Sequence, residues 1–348
     1  MSAGAEIAAG RFAYHGGRLC IARSLFPDVP QPWVDLSTGI NPRSYPAPRA
    51  SSQARNRLPE PTELARLEAV AAATFGVGDP ARVVATGGTE CALRLLPHVL
   101  KLKDAVIAGP TYGSHADAWR QAGAATRTVA DTELETHASR AAAVTIVNPN
   151  NPDGRIVARE RLLKLHDQLQ AHAGALIVDE AFAEVEPQAS VADVAGGESA
   201  SRLIVLRSFG KFFGLAGVRL GFIVAAPRIA AELRHLIGDW PVSSDALVAG
   251  LAAYADPHWA ERMRGTLARA AQRLDRLLVR GGFQLAGGTS LYRLARAPDA
   301  RIRFTLLLAA GILVRPFDYD QTLLRFGLPQ RRNEWDRLSA VFNRAQHE

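Results

Sequence analysis

Short apolar runs alternate with amphipathic stretches through the first two thirds of the chain. The apolar runs are rich in Val, Ile and Leu, which is typical of buried strands. We predict strands at residues 83–86, 105–108, 125–129, 142–147, 175–178 and 203–206. Apolar residues at helical spacing predict helices at residues 62–75, 91–100, 115–122 and 159–171. This alternation favours an α/β fold, with a mostly parallel sheet covered by helices on both faces.

The final third of the chain has a different pattern, in which a long helical passage is followed by short strands. Helices are predicted at residues 227–236, 245–254, 259–280, 302–310 and 333–344. Short strands are predicted near residues 283–285, 287–294, 312–315 and 323–328. A mixture of this kind favours a smaller α+β domain.

The N-terminal residues are irregular and carry proline and glycine clusters, so they cannot form a core of their own. We therefore expect residues 1–44 to be an N-terminal arm that contributes to the small domain. The large domain is expected at residues 45–228, and the small C-terminal domain at residues 229–348.

Composition narrows the class of protein. The chain has 348 residues, of which 48% are hydrophobic, enough to build real cores. No apolar run reaches about 18 residues, and no basic segment followed by an apolar one opens the chain, so we expect a cytoplasmic protein without a membrane partner. Cys20 and Cys91 are far apart and lack metal-ligand spacing, so neither a disulfide nor a metal site is expected.

The net charge of +7 comes almost entirely from arginine. These arginines are scattered along the chain, and no nucleic-acid-binding motif is present. We therefore expect no nucleic-acid partner and interpret the charge as arginine-rich codon usage together with some affinity for anionic substrates.

The stretch from Ser208 to Gly221 places four glycines around one lysine and one arginine. Glycine disfavours helix and strand interiors, so we predict a tight functional loop here. Lys211 is one of only four lysines in the chain, and it alone has this glycine-rich, aromatic setting. A dry setting lowers the pKa of a lysine and favours the free amine that forms a Schiff base, which makes Lys211 the candidate nucleophile. The alternative is a surface lysine in an ordinary glycine loop.

Other polar residues follow the predicted strands. Asn151, Asp179 and Lys211 each lie just past a strand end, where sheets of this kind bind ligands. Gly87-Gly88-Thr89 opens a helix, where backbone N–H groups and the helix dipole favour an anion such as phosphate. Two alternatives remain open. In the first, the glycine turn only connects a strand to a helix. In the second, Asp179 caps a helix and Glu180 is the functional acid.

Taken together, these motifs resemble the pyridoxal-phosphate enzymes of the aspartate-aminotransferase fold over most of the chain. The matching positions, in chain order, are Gly88-Thr89, Tyr112, Asn151-Pro-Asp-Gly154, Asp179, Ser208-Phe-Gly-Lys211 and Arg219. The resemblance implies the fold type I architecture of pyridoxal-phosphate transferases, with a large domain and a smaller α+β domain. It also implies the cofactor pyridoxal 5′-phosphate and a homodimer whose sites lie at the subunit interface.

The resemblance further implies a role for each residue at the cofactor. Lys211 would carry the cofactor covalently, and Asp179 would pair with the pyridine nitrogen so that the ring acts as an electron sink. Asn151 would hydrogen-bond the phenolic oxygen of the ring, and Tyr112 would stack on its face. The cofactor phosphate would be held by Gly88, Thr89, Ser208 and Arg219.

Within that fold, five stretches resemble a branch that acts on small phosphorylated amino acids: residues 15–17, 35–42, 148–154, 179–182 and 207–221. The resemblance implies that Arg325 grips the substrate carboxylate, and that Arg315 and His15 are further anion contacts. It favours decarboxylation in cobalamin synthesis, with transamination of the histidinol-phosphate type as the alternative. Residue chemistry alone leaves both reactions open.

Two positions depart from the pattern. Phe182 stands where the aminotransferases have a tyrosine, so the ring oxygen loses one hydrogen-bond donor. Leu58 stands where they have a tyrosine that reaches the cofactor phosphate of a neighbouring subunit. We therefore expect a dimer whose cross-subunit phosphate contact is altered.

Overall fold

The computed structural model describes residues 10–344. Its strands are β1 (Val34–Asp35), β2 (Val83–Thr86), β3 (Asp104–Gly109), β4 (Ala125–Ala130), β5 (Ala143–Val147), β6 (Ala175–Glu180), β7 (Leu203–Ser208), β8 (Gly221–Val224), β9 (Gln284–Thr289), β10 (Tyr292–Arg296), β11 (Ile312–Leu313), β12 (Arg315–Pro316) and β13 (Leu323–Gly327). Its helices are α1 (Leu19–Leu25), α2 (Ser52–Arg55), α3 (Pro61–Phe75), α4 (Thr89–Leu100), α5 (Ser114–Gln121), α6 (Leu134–Ala138), α7 (Arg159–Gln170), α8 (Phe209–Phe212), α9 (Pro227–Ile237), α10 (Ser244–Tyr254), α11 (Pro257–Arg280), α12 (Ala300–Ala309) and α13 (Arg332–Arg344). Among these helices, none has the length and apolar character needed to cross a membrane.

The described residues form two compact units, which we describe separately. Among the described residues, unit 1 contains residues 10–43, the segment Pro152–Gly154 and residues 262–344. Unit 2 contains Ser44–Asn151 and Arg155–Glu261.

A seven-stranded sheet in the order β2-β8-β7-β6-β5-β3-β4 is the centre of unit 2. Neighbouring strands from β4 to β7 are parallel, whereas β8 runs antiparallel to both β2 and β7. Every residue of β5, β6 and β7 is buried, because helices cover both faces of a parallel sheet. The α/β fold with a mostly parallel sheet is confirmed.

The parallel strands place their carboxyl ends along one edge of this sheet. Val147 pairs with Asp179, and Asp179 pairs with Leu206, so β5, β6 and β7 end close together. Ser208, the last residue of β7, pairs with Gly221, the first residue of β8. The loops that carry the candidate cofactor residues therefore leave the sheet side by side.

The boundary between the large and small domains is expected between residues 228 and 229. In the structure, α9 and α10 belong to unit 2, which extends to Glu261. α10 packs tightly on α3 through Gly250, where an added Cβ would lie 2.7 Å from Leu67 Cδ1. The buried face of α10 includes Leu247 and Ala246. This packing surface keeps α10 with the sheet, although composition changes before it.

Unit 1 contains a four-stranded antiparallel sheet in the order β12-β13-β10-β9, together with the N-terminal arm. The arm is less irregular than its sequence predicts, since it forms α1 and β1. β1 pairs in parallel with β11, and the Leu36 carbonyl accepts a hydrogen bond from the Gly327 amide at 2.6 Å. These backbone hydrogen bonds order a segment that has little apolar periodicity of its own.

Candidate active site

Gly88 and Arg219, which lie far apart in sequence, meet at the N-terminus of α4. Gly88 has φ +94°, and a Cβ added there would lie 2.5 Å from the Arg219 Nη2 atom. Arg219 is itself held in the left-handed region at φ +58° and donates from Nη1 to the Ala216 carbonyl at 3.1 Å. The bare glycine backbone thus leaves room for a guanidinium at a helix N-terminus, an arrangement that suits a phosphate.

Ser208 and Thr89 lie beside this pair. A Cβ added at Gly221 would lie 2.6 Å from the Thr89 amide nitrogen, so the start of β8 is packed against the first turn of α4. Ser208 is the strand partner of Gly221 and is only 7% exposed. The structure therefore brings together all four residues expected at the cofactor phosphate.

Asp179 is buried at the end of β6, with 4% of its surface exposed. One carboxylate oxygen accepts a hydrogen bond from the Ala181 amide at 3.0 Å, and the other lies 2.8 Å from His115 Nε2. His115 is equally buried, at 3%. Sequence reasoning missed His115, because no local pattern reveals a contact between residues 64 positions apart.

Tyr112 follows β3 and is held by a second residue that the sequence did not reveal. Its hydroxyl donates to Glu90 Oε2 at 3.0 Å, and Glu90 also accepts from Arg94 Nε at 2.8 Å. Burial, as the main cause, raises the pKa of the Tyr112 phenol to about 12. The ring is therefore neutral at physiological pH and fixed in orientation, as a stacking platform requires.

The turn that contains Asn151 is tied down by its neighbouring asparagines. The Asn148 side chain forms hydrogen bonds with both the backbone amide and the backbone carbonyl of Val157. The Asn150 side chain accepts a hydrogen bond from Thr111 Oγ1 at 2.6 Å. Asn151 is 8% exposed. These hydrogen bonds give the turn after β5 one defined conformation beside residues 110–112.

Lys211 lies in α8, a single helical turn that starts directly after β7. The stretch predicted as a tight loop thus includes one turn of helix, which the buried side chains of Phe209 and Phe212 stabilise. A Cβ at Gly210 would lie 2.7 Å from the Ala216 Cα, so the stretch folds back tightly on itself. The Lys211 Nζ atom lies 6.0 Å from the centre of the Phe182 ring, the residue that replaces the expected tyrosine.

An aromatic cluster supports this helical turn. Phe209 and Phe213 stack with their ring centres 4.8 Å apart, and Phe213 stacks on Trp259 at 5.6 Å. Tyr45 and Tyr254 each meet Phe213 edge-on, at 6.1 and 5.4 Å. Close packing of large rings leaves little freedom to the backbone that presents Lys211.

Glu180, the alternative acid, has a structural role. It is fully buried and accepts hydrogen bonds from Arg207 Nη1 at 2.8 Å, Ser190 Oγ at 2.6 Å and the Val191 amide at 2.8 Å. Burial raises the pKa of Glu180. Arg207 also donates to Glu184 at 2.8 Å. Because these partners occupy both oxygens of Glu180, Asp179 is the better candidate for the functional carboxylate.

The remaining candidates, Arg315 and Arg325, lie opposite each other on β12 and β13 of unit 1. The Arg325 guanidinium donates to the Ser37 carbonyl at 2.7 Å, and its carbon lies 5.0 Å from the centre of the Tyr292 ring. The Arg315 guanidinium donates to the Tyr14 carbonyl at 3.1 Å. Backbone carbonyls of the arm thus hold two buried cations next to each other.

Burial first, and then the like charge of Arg315, lower the pKa of Arg325 to about 9. A folded-state pKa below the ordinary value means that the charged guanidinium costs stability at neutral pH, where it is protonated in both the folded and unfolded states. A bound anion would offset that cost. The pair is therefore suited to a carboxylate or a phosphate.

His15 lies in the same part of unit 1. Its ring meets Tyr14 edge-on at 4.3 Å, next to the carbonyl that accepts from Arg315. The following segment is anchored by a hydrogen bond from the Gly17 amide to Ser37 Oγ at 2.7 Å. His15 therefore directly follows the residue whose carbonyl binds Arg315, and its arm also supplies the Ser37 carbonyl that binds Arg325.

Comparison with known proteins gives a consistent picture. The chain is 38% identical over 338 residues to a threonine-phosphate decarboxylase of Pseudomonas aeruginosa, covering 96% of this chain and 99% of the relative. It is 40% identical over 315 residues to a threonine-phosphate decarboxylase of Sinorhizobium sp, covering 90% and 92%.

A solved histidinol-phosphate aminotransferase from Clostridium acetobutylicum has the same fold, with a TM-score of 0.80 at 19% identity, over 90% of this chain and all of that one. The model of the family "Aminotransferase class I and II" matches residues 32–340 of this chain. With the match spanning both units and all the cofactor candidates, this chain belongs to the aminotransferase class I and II family.

Proposed function

We propose that this chain is a cytoplasmic pyridoxal-phosphate-dependent carboxy-lyase of cobalamin biosynthesis. It would convert L-threonine O-3-phosphate to (R)-1-amino-2-propanol O-2-phosphate and CO₂. The observation that carries the proposal is the identity of 38–40% to two threonine-phosphate decarboxylases over almost the whole chain. Relatives named histidinol-phosphate aminotransferase match over less of the chain and at lower identity.

The residues of unit 2 fit pyridoxal 5′-phosphate. Because Gly88 has no side chain, the Arg219 guanidinium can lie against its backbone. Together with Thr89 and Ser208, these two residues offer amide, hydroxyl and guanidinium donors to a phosphate. Asp179, held by His115, would keep the pyridine nitrogen protonated. When bound, the cofactor supplies the electron sink for the bond that breaks at the substrate α-carbon.

The protein would select the reaction by orienting the substrate. The bond that breaks is the one held perpendicular to the cofactor ring, so a decarboxylase must hold the α-carboxylate out of the ring plane. The substrate phosphate offers a remote anionic handle for this purpose, and Arg325, Arg315 and His15 are the groups we assign to the substrate anions. After CO₂ leaves, Lys211 in its protonated, ammonium form would donate a proton to the α-carbon and so become the free amine.

We also propose that the active species is a homodimer and that its substrates are small phosphorylated amino acids. The family resemblance supports this, since fold type I sites lie at a subunit interface. Leu58 is 59% exposed on the single chain, a high value for a large apolar residue and consistent with a covered position in a dimer.

One paired assay tests the proposed reaction. The purified protein, loaded with cofactor, is given L-threonine O-3-phosphate while CO₂ release is measured, and histidinol phosphate with 2-oxoglutarate while glutamate is measured. We expect CO₂ release and no sustained glutamate formation. Transamination of histidinol phosphate without CO₂ release would replace the decarboxylase with the aminotransferase.

A further inference from the structure

A small cavity in unit 1 lies beside α11 and is lined by neither Arg315 nor Arg325. Its volume is about 240 Å³. Sites for drug-sized ligands usually exceed about 300 Å³, so this cavity suits a smaller molecule. Residues from three segments form the wall: the end of the arm, one face of α11, and the chain from β13 into α13.

The charged groups of the cavity are all cationic. Arg43, Arg269 and Arg273 line it, and no acidic residue does. Arg269 and Arg273 are four residues apart on α11 and therefore share one helix face. Within residues 10–344, none of the three guanidinium groups lies within 4.0 Å of a carboxylate. All three side chains are solvent-exposed, and their shared positive charge attracts an anion to the cavity.

The structure also restrains the Arg273 side chain and gives the cavity an apolar floor. The Arg273 guanidinium carbon lies 4.3 Å above the centre of the Trp335 ring, a cation–π contact that restrains it. The Arg43 amide donates to Asn41 Oδ1 at 2.8 Å, which fixes the backbone of the arm at this point. Leu267, Leu328 and Trp335, exposed by only 1%, 4% and 6%, form the floor.

We propose that this cavity is a second ligand site, which binds a small organic phosphate with an apolar group next to the phosphate. The planar donors of arginine match phosphate oxygens, and three guanidinium groups supply more than enough positive charge to neutralise a dianion. The apolar floor favours a phosphate ester over inorganic phosphate, because it can cover a short hydrocarbon group. This site is built entirely from unit 1 and does not depend on the proposed reaction.

Calorimetric titration of the cofactor-loaded protein with phenyl phosphate tests the proposal. We expect saturable binding that Arg269→Ala and Arg273→Ala each weaken about 10- to 100-fold, as for the loss of a charged hydrogen bond. Arg276→Ala is the matched control, since Arg276 is an exposed arginine of the same helix that does not line the cavity. Inorganic phosphate should bind more weakly than phenyl phosphate.

A second readout locates the ligand. The indole N–H signal of Trp335, assigned by its loss in Trp335→Phe, should shift in the wild type as phenyl phosphate is added. Binding lost only in Arg325→Ala would place the ligand at the other arginine pair and overturn the proposal. The proposal also fails if Arg276→Ala weakens binding as much as Arg269→Ala, if both phosphates bind equally, or if no saturable binding occurs.

Discussion

At the scale of single residues, the cofactor cradle depends on the absence of one side chain. Glycine is the residue type that fits position 88, because the backbone there has a positive φ and an added Cβ would meet the Arg219 guanidinium. A larger residue would have to move the guanidinium away from the helix N-terminus. The phosphate site would then lose a charged donor while the rest of unit 2 stayed intact.

We therefore expect Gly88→Ala to weaken pyridoxal-phosphate affinity by about 10-fold or more, the loss of one charged hydrogen bond. Equilibrium dialysis of the cofactor against the purified variant measures this. Gly78→Ala is the control, because an added Cβ at Gly78 meets nothing within 4 Å. Equal cofactor affinity of Gly88→Ala and wild type would show that Arg219 does not bind the phosphate.

Lys211 should be the lysine that carries the cofactor. Borohydride reduction of the loaded protein should attach pyridoxyl phosphate to a single peptide, and mass spectrometry should assign it to Lys211. The adduct should be absent in Lys211→Ala and unchanged in Lys164→Ala, because Lys164 is an exposed residue of α7. An adduct at Lys101, Lys103 or Lys164 would contradict the assignment.

Arg325 should act on the substrate and leave the cofactor in place. Losing one partly desolvated charge pair costs about 2–5 kcal/mol, so Arg325→Ala should lower kcat/KM for L-threonine O-3-phosphate about 30-fold or more. A fall in kcat as well as a rise in KM is expected if the arginine sets the out-of-plane pose. Arg228→Ala, at a side chain that is 92% exposed, serves as the control. Normal decarboxylation by Arg325→Ala would remove this residue from the substrate site.

At the scale of elements, a buried ion network joins β6 to β7 behind the lysine turn. Arg207 on β7 donates to Glu180 on β6 and to Glu184 beyond it, and its guanidinium lies 4.6 Å from the centre of the Phe75 ring. Both carboxylates are buried, and Arg207 is the cation that donates a hydrogen bond to each of them. The network fixes the end of β7, from which Ser208 and Lys211 follow directly.

Removing that cation should destabilise unit 2 strongly. We expect Arg207→Met to lower the free energy of unfolding by about 3–5 kcal/mol, because two buried carboxylates lose their counter-charge. Urea unfolding followed by circular dichroism measures the change, with the exposed Arg228→Ala near zero. A loss well below about 1 kcal/mol would mean that water or protonation already compensates the carboxylates.

At the scale of the whole molecule, the proposed dimer gives a direct mass test. Light scattering of the cofactor-loaded protein should give about twice the chain mass of 37.4 kDa. Leu58→Lys should shift the equilibrium towards the monomer, because it places a charge at an exposed apolar position that we expect the dimer to cover. An active monomer at low concentration would contradict the dimer.

The sequence by itself determined the local part of this protein. Periodicity located most of the longer strands and helices to within a few residues, since buried strands and amphipathic helices are specified by their own apolar spacing. It missed β1, β8 and the short helices α1, α2, α6 and α8. Lys211, Arg219 and the Gly88 turn could also be found, because glycine-rich turns and a rare lysine are visible in one stretch of sequence. The resemblance then gave each a chemical role.

Only the tertiary structure decided the contacts between distant segments. It paired His115 with Asp179 and Tyr112 with Glu90, placed β8 antiparallel between β2 and β7, and kept α10 with unit 2. It also showed that part of the expected lysine loop forms the helical turn α8, and that Glu180 accepts a hydrogen bond from Arg207. Such outcomes depend on which surfaces pack and which buried charges find partners, and a linear pattern of apolar and polar residues does not contain that information.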